Sequence, residues 1–285
     1  MTYIESRVYK LWHFILSQAL RMVAQERVLI QNPHWLDNQL KETPEHWLKY
    51  TKFIKRACEA GLRFVVDGPC VSGTKRMPIG GKCGVHGSCN AAFVGILSYV
   101  YERLIQNDDY KYRRPTLLDL GSGLGQLVFY AERMGFEPYG IELCDTCYKI
   151  SQENLSLAEH LGLITPNKVK LARGSFFPNG FSLERRLKED GDEFRNLLSR
   201  HHSECISSIN PYQELGKEPT DFDVFFHYQV ESRKNILRFF ADYARVGAIL
   251  FFIKTMNDYF TPQDQPKNII ILDKEEEVTL YQKIG

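Results

Sequence analysis

The stretch that decides the fold lies at residues 117–126 and reads Leu-Leu-Asp-Leu-Gly-Ser-Gly-Leu-Gly-Gln. It continues an apolar run that starts at Pro115, and such a run predicts a buried strand. Glycines at 121, 123 and 125 then alternate with other residues, and a helical pattern begins at Gly125. Glycine lets the backbone turn sharply and lets a ligand approach without a Cβ in the way. The stretch therefore predicts a strand, a tight ligand-binding turn and a helix in succession.

The chain alternates between strand and helix patterns from residue 115 onward. Alternation of this kind is typical of a parallel sheet covered by helices on both faces. We therefore expect an α/β, Rossmann-like domain whose seven-stranded, mostly parallel sheet ends in an antiparallel pair. The predicted strands are 115–119, 137–142, 169–175, 223–228, 247–255, 268–272 and 278–283. The predicted helices are 125–134, 145–161, 181–200 and 231–245, with a polar stretch up to about 220.

The residues before this alternation predict a helical extension. Apolar residues recur at steps of three and four over 3–30, and a second helix begins at Thr43-Pro44-Glu45 and ends near Gly61. A glycine-rich loop over 67–90 precedes a third helix over 88–104. We expect this loop to act as a lid, with an irregular connection as the alternative. The expected organisation is a helical region over 1–110 and a Rossmann-like domain over 111–285.

Two acidic residues restrict the ligand of the glycine turn. Asp119 precedes the turn, and Glu142 ends the second strand. A dinucleotide fingerprint needs glycine where Gln126 stands, and its pyrophosphate suits a neighbouring carboxylate poorly. A ligand with a cationic ammonium and no phosphate suits Asp119 better, and Glu142 is then placed to accept ribose hydroxyls. A nucleotide-linked oxidoreductase is therefore the weaker alternative.

Asp119–Gly125 resembles the first motif of the class I, seven-stranded S-adenosylmethionine-dependent methyltransferases, and Gly140-Ile141-Glu142 resembles the acidic end of their second strand. The resemblance implies that the glycine turn wraps the methionine part and that Glu142 holds the ribose. Ser175, with Phe176 or Phe177, stands where the family contacts adenine. A weaker resemblance links the chain to the histone-lysine methyltransferases that lack a SET domain.

His86-Gly87-Ser88 stands where that family has a Gly-Ser/Thr element before a helix. Separately, the predicted helix N-terminus at Ser88 favours an anion and is a suitable place for the methionine carboxylate. The predicted cofactor is S-adenosylmethionine. The predicted cofactor-binding residues are Asp119, Gly121, Ser122, Gly123, Gly125, Gln126, Glu142, Leu143, Ser175, Phe176 and His86.

The acceptor side is predicted at the end of the fourth strand, where His227, Tyr228 and Gln229 follow an apolar run. Ligands of open α/β sheets bind at this edge. His227 is the candidate base, and Tyr228 or Gln229 the candidate for orienting an acceptor amine or hydroxyl. The alternative is that Glu231 starts a helix and that His227 or Tyr228 is buried for structural reasons.

Charge and composition bear on the partner. The net charge of +1 argues against a polyelectrolyte binder, so we do not expect a nucleic-acid partner. Residues 1–114 carry 17 basic and 10 acidic side chains, which slightly favours a protein side chain, lysine-like, as acceptor. A small-molecule N- or O-acceptor and a catalytically silent binding module are the alternatives. We expect a cytoplasmic enzyme without a membrane partner.

The cysteines offer one further possibility. Cys144 and Cys147 have metal-ligand spacing, and Cys83, His86 and Cys89 lie close together in the sequence. A second Cys-x-x-Cys pair is missing, however, and cysteines at the start of a helix often pack as small apolar residues. We therefore predict no metal site.

Overall fold

The computed structural model describes residues 45–63, 97–98, 100–178, 181, 210–228, 233–253, 265–274 and 278–285. Several predictions concern residues outside these ranges. They are the helix over 3–30, the lid over 67–90 with His86, the body of the helix over 181–200, and Gln229.

The described residues form a seven-stranded sheet, which confirms the predicted Rossmann-like fold. The strand order is β3-β2-β1-β4-β5-β7-β6. The first five strands in this order run parallel, whereas β7 runs antiparallel to both β5 and β6. The strands are β1 (Thr116–Leu120), β2 (Glu137–Glu142), β3 (Lys170–Arg173), β4 (Val224–Tyr228), β5 (Ile249–Ile253), β6 (Ile269–Lys274) and β7 (Val278–Lys283).

Helices lie on both faces of this sheet. They are α1 (Glu45–Glu59), α2 (residues 97–98 and 100–105), α3 (Gln126–Met134), α4 (Asp145–His160), α5 (Pro211–Leu215) and α6 (Arg233–Tyr243). Helix α5 was not predicted and falls in the polar stretch that extends to about residue 220. Asn210 caps this helix by accepting a hydrogen bond from the Tyr212 amide at 3.1 Å, and Pro211 occupies its first turn. A helix of five residues is too short to show a periodic pattern.

Successive residues of the strands pack alternately against the two faces of the sheet. Leu118 and Leu120 point to the face that α6 covers, where Phe239 and Phe240 are buried. Leu117 points to the opposite face and packs with Leu127 of α3. The period of two along β1 therefore puts Asp119 on the α3 face although the whole strand is buried.

The amino end of the sheet is held by one buried carboxylate. Asp223, just before β4, accepts hydrogen bonds from both terminal nitrogens of Arg113, at 2.7 and 2.9 Å, and from the Thr116 amide at 2.8 Å. Arg245 forms a further ion pair with it. These partners hold the pKa of Asp223 below its usual range although burial opposes them. Asp223 is thus a buried carboxylate whose partners stabilise its ionised form.

Helix α1 packs on α3 directly behind the glycine turn. Tyr50 and Phe53 of α1 contact Tyr130 of α3, with ring centroids 4.9 and 5.6 Å apart. They share a buried cluster with Leu124 of the turn itself. The first described helix therefore supports the turn from one side.

No helix in the described part of the chain is long and apolar enough to cross a membrane.

Candidate cofactor-binding site

The strand register brings the predicted residues to one edge of the sheet. Asp119 of β1 lies level with Gly140 of β2 and with Phe226 of β4. Glu142 and His227 therefore stand at the carboxyl ends of the two strands that flank β1. Ligands of open α/β sheets bind in the crevice at this edge.

Three glycines shape the turn that follows β1. Gly121, Gly123 and Gly125 have φ angles of 102°, 54° and 85°, which lie in a region that side chains rarely adopt. The amide nitrogens of Gly121 and Ser122 both donate to the Ile141 carbonyl, at 2.9 and 3.0 Å. The backbone is therefore folded back against the end of β2, and this conformation requires glycine.

The Ser122 side chain is turned into the protein. A Cβ placed on Gly140 would lie 2.7 Å from the Ser122 Cβ and Oγ, so glycine at 140 makes room for this serine. The Ser122 Oγ is buried and has no hydrogen-bond partner among the described residues. The Ser122 backbone is itself engaged, because its amide donates to the Ile141 carbonyl and its carbonyl accepts from the Gly125 amide at 2.9 Å.

Glu142 braces the glycine turn. One carboxylate oxygen accepts a hydrogen bond from the Gly123 amide and the other from the Cys144 amide, both at 2.7 Å. The nearby Leu143 amide also favours the ionised form and so acts to lower the pKa of this carboxylate. Burial nevertheless raises the pKa of Glu142 to about 7. The carboxylate can still accept ligand hydroxyls, because its two oxygens offer about four acceptor positions.

Asp119 has an electrostatic environment opposite to that of Asp223. It is only 4% exposed, and its carboxylate is influenced by burial and by Glu142, with no hydrogen bond from the described residues. Burial and the neighbouring Glu142 raise the pKa of Asp119 well above its ordinary value. A buried carboxylate without a donor beside a second carboxylate is stabilised by a cation. This edge of the sheet is therefore suited to a positively charged group.

Gln126 connects the turn to the helical extension. Its side-chain amide donates a hydrogen bond of 2.7 Å to the Tyr50 hydroxyl, and both groups are buried. The predicted cofactor residue is thus engaged with α1 in this structure, and its position at the start of α3 keeps it next to the turn.

Ser175 and Phe176 lie beyond the end of β3. The Ser175 hydroxyl accepts a hydrogen bond from the Phe177 amide at 3.2 Å, so this oxygen stabilises a local turn. Phe176 is half-buried, and its ring meets the edge of His227 with centroids 5.5 Å apart. Tyr212 of the unpredicted α5 donates its hydroxyl to the Phe176 carbonyl at 2.5 Å. Helix α5 therefore helps to position the aromatic residue that the resemblance places near adenine.

His227 is completely buried between Phe176 and Phe252. Its Nδ1 lies 3.0 Å from the Leu120 carbonyl, which can only accept, so Nδ1 carries the proton. Nε2 then has a free lone pair and no hydrogen-bond partner among the described residues. Burial lowers the pKa of His227 to about 4, so the ring is neutral at pH 7.

Tyr228 faces away from His227. Its side chain packs against the cluster on the α3 face, whereas His227 lies on the α6 side, because successive strand residues alternate. The structure thus separates two residues that the sequence places together. The third acceptor-side candidate, Gln229, lies outside the described residues.

The cysteines of the described segments act as apolar residues. Cys147 is buried in the α3–α4 cluster, and Cys144, the residue before α4, packs against the same cluster. The described ranges contain no group of three His, Cys, Asp or Glu residues that could hold a metal ion. Cys83, His86 and Cys89 lie outside them.

Besides Tyr212 of α5, two further contributors to the site were not predicted. Asn154, on α4, donates from its side-chain amide to the Leu124 carbonyl in the turn, and Tyr50 contacts Gln126. Both come from elements distant in sequence, and nothing in the local pattern around either residue distinguishes it from an ordinary helix residue.

Comparisons with known proteins give structural neighbours only. No protein family and no curated protein matches the chain by sequence. An RNA methyltransferase from Salinibacter ruber in complex with S-adenosyl-L-homocysteine aligns with 65% of this chain and 90% of its own, at 18% identity and a TM-score of 0.35. A putative O-methyltransferase from Klebsiella pneumoniae aligns over 88% of this chain and 96% of its own, at 13% identity and a TM-score of 0.39.

A third neighbour is monomeric WbdD, with 12% identity, a TM-score of 0.40 and 66% of this chain aligned. The alignment spans only 40% of the WbdD chain. All three likenesses concern the fold. The seven strands run parallel except for β7, as expected from the alternation of strand and helix patterns after residue 115.

Proposed function

We propose that this chain is an S-adenosylmethionine-dependent methyltransferase that binds its cofactor at the carboxyl edge of β1 and β2. The observation that carries this proposal is Asp119, whose buried carboxylate has no donor within the described ranges and stands directly before the glycine turn. A ligand ammonium supplies the missing cation. S-adenosylmethionine has such an ammonium, and it has no phosphate to be repelled by Asp119 and Glu142.

Each part of the cofactor has residues suited to it. The glycine turn and Asp119 receive the methionine end, and the remaining acceptor positions of Glu142 receive the ribose hydroxyls. Phe176 packs on the adenine ring, and the Ser175 hydroxyl oxygen accepts a hydrogen bond from the adenine amino group. A pyrophosphate would have to lie beside two carboxylates at this turn, which is why we favour this cofactor over a dinucleotide.

The bound cofactor supplies an activated methyl group, and its transfer to a nucleophile is an in-line displacement. The protein has to orient the acceptor, exclude water and remove a proton where the acceptor carries one. His227 is suited to orienting, because its buried, neutral Nε2 offers a lone pair to an N–H or O–H group. Its low pKa, about 4, makes it a hydrogen-bond acceptor more than a store for a proton.

For the acceptor we propose a protein side-chain amine, with a small-molecule nitrogen or oxygen acceptor as the alternative. The excess of basic residues in 1–114 supports a macromolecular acceptor. Candidate orienting groups besides His227 are Tyr228 and Gln229. A catalytically silent cofactor-binding module is the competing function, and it differs in one measurable respect, because it binds S-adenosylmethionine without turnover.

Calorimetric titration of the purified chain with S-adenosylmethionine, and with NADH as a control, tests the proposal. Binding of S-adenosylmethionine alone, at about micromolar Kd, is the expected result. Binding of NADH alone would contradict it. Incubation with methyl-labelled cofactor and either a mixture of proteins or a mixture of small amines and alcohols then separates an enzyme from a silent module and identifies the acceptor class.

A further inference from the structure

Asn154 joins three parts of the molecule at the base of the glycine turn. It lies in the middle of α4 and is 3% exposed. Its Oδ1 accepts a hydrogen bond from the Arg63 amide at 2.9 Å, and its Nδ2 donates to the Arg63 carbonyl at 2.7 Å. The same Nδ2 donates to the Leu124 carbonyl at 3.2 Å. One side chain thus holds the backbone that follows α1 and the backbone of the turn.

The hydrogen bond to the Leu124 carbonyl holds the middle of the glycine turn. Leu124 lies between Gly123, whose amide donates to Glu142, and Gly125, which caps α3 with a left-handed conformation. Fixing the Leu124 carbonyl limits rotation of the peptide units on either side, and this keeps the Gly123 amide directed at Glu142. Glycine residues alone do not select one conformation, because they are the most permissive residues. Hydrogen bonds to other segments therefore select it: Ile141 and Glu142 accept from the amides of residues 121–123, and Asn154 holds the Leu124 carbonyl.

A second contact connects the same two segments. Gln126, the first residue of α3, donates to Tyr50 of α1 at 2.7 Å. The helical extension therefore meets the glycine turn from both sides, at Leu124 through Asn154 and at Gln126 directly. Because two sets of hydrogen bonds connect the α1 segment with the glycine turn, the positions of these two segments depend on each other.

We infer that Asn154 is a positioning residue of the cofactor site that couples the backbone at Arg63 to the glycine turn. The coupling is reciprocal, so a cofactor that orders the turn also orders the chain at Arg63. The part that concerns the cofactor rests on the proposed function.

The test compares Asn154→Ala with Ser151→Ala as a matched control. Ser151 lies one turn earlier on α4, is 0% exposed, and donates only to the Tyr148 carbonyl of its own helix. We expect Asn154→Ala to raise the Kd for S-adenosylmethionine about tenfold and Ser151→Ala to change it less than about threefold. In the wild-type protein, adding S-adenosylmethionine should slow hydrogen exchange at the Arg63 amide.

Hydrogen exchange at the Gly123 amide provides a measurement that needs no ligand. The Gly123 amide should exchange at least about tenfold faster in Asn154→Ala than in Ser151→Ala, because the turn is no longer held. Equal Kd and equal Gly123 exchange in the two variants would overturn the inference. If Asn154→Ala fails to fold, hydrogen exchange at the Arg63 amide of the wild-type protein decides. An exchange rate that the cofactor does not slow would then overturn the inference. A wild-type chain that does not bind S-adenosylmethionine contradicts the proposed function instead, and the Gly123 comparison still tests the coupling.

Discussion

Replacing Asp119 with asparagine should change stability and affinity in opposite directions. Asp119 is 4% exposed and next to Glu142, and its raised pKa means that the folded state holds its proton more tightly than the unfolded state. The carboxylate therefore destabilises the ligand-free protein increasingly as pH rises above its ordinary pKa. Asparagine has the same shape without the charge. We expect the free energy of unfolding without ligand to increase by about 1 kcal/mol at pH 8.

The same substitution should weaken cofactor binding. A hydrogen bond between charged groups contributes about 1.5–3 kcal/mol, so losing it should raise the Kd for S-adenosylmethionine about 10- to 150-fold. Methylthioadenosine, which lacks the amino-acid part, serves as the second ligand, and its Kd should change less than about threefold. Calorimetry gives both affinities, and denaturant titration gives the stability.

A second carboxylate at the same edge of the sheet, Asp145, provides the control variant. Asp145→Asn neutralises a half-buried carboxylate at the same edge that already pairs with Arg173 and Lys149, and it should leave both affinities nearly unchanged. Equal weakening of both ligands by Asp119→Asn would show that Asp119 does not contact the ammonium. Lower stability of the ligand-free variant would show that the carboxylate has a structural role.

Three other perturbations test separate parts of the structure. The pKa of Glu142 is about 7 and its ionised form accepts ribose hydroxyls, so the affinity for S-adenosylmethionine should fall about tenfold from pH 8 to pH 6. The Glu142→Gln variant should bind the cofactor weakly at both pH values. If its affinity still falls with pH, another group causes the pH dependence. Nitrogen NMR of His227 should show the Nδ1–H form, protonating only near pH 4, and a midpoint near 6.5 would refute the buried, neutral ring. Asp223→Ala should lower the free energy of unfolding by about 3 kcal/mol in denaturant titration, because Arg113 and Arg245 lose their partner; a loss below about 1 kcal/mol would mean that water replaces the carboxylate.

The pattern of the chain predicted most elements where periodicity was long enough. Strand β2 was predicted with its observed bounds, and α3 begins one residue after the predicted start. The predicted strand over 169–175 is shorter in the structure, where β3 spans Lys170–Arg173. Its last two predicted residues belong to the turn that Ser175 stabilises. Strand patterns do not distinguish paired residues from an extended continuation, because both alternate faces in the same way.

The candidate site was predictable in its acidic residues and less so in the orientations of its side chains. Asp119 and Glu142 follow from a strand end and a glycine turn, which are local features. The inward orientation of Ser122 depends on the missing Cβ of Gly140 in another strand. His227 and Tyr228 are neighbours in sequence, yet they face opposite sides of the sheet. The roles of the acceptor-side residues stay predictions.

The sequence by itself determined the α/β fold, the position of the turn and the identity of the two carboxylates there. These depend on short-range properties, namely hydrophobic period, glycine conformations and the edge at which parallel strands end. Only the tertiary structure decided that Glu142 braces the turn, that Asp119 has no donor in the described part of the chain, and that Asn154 ties the turn to Arg63. Burial and hydrogen-bond partners depend on residues tens of positions away, and those distances close only when the sheet and helices pack together.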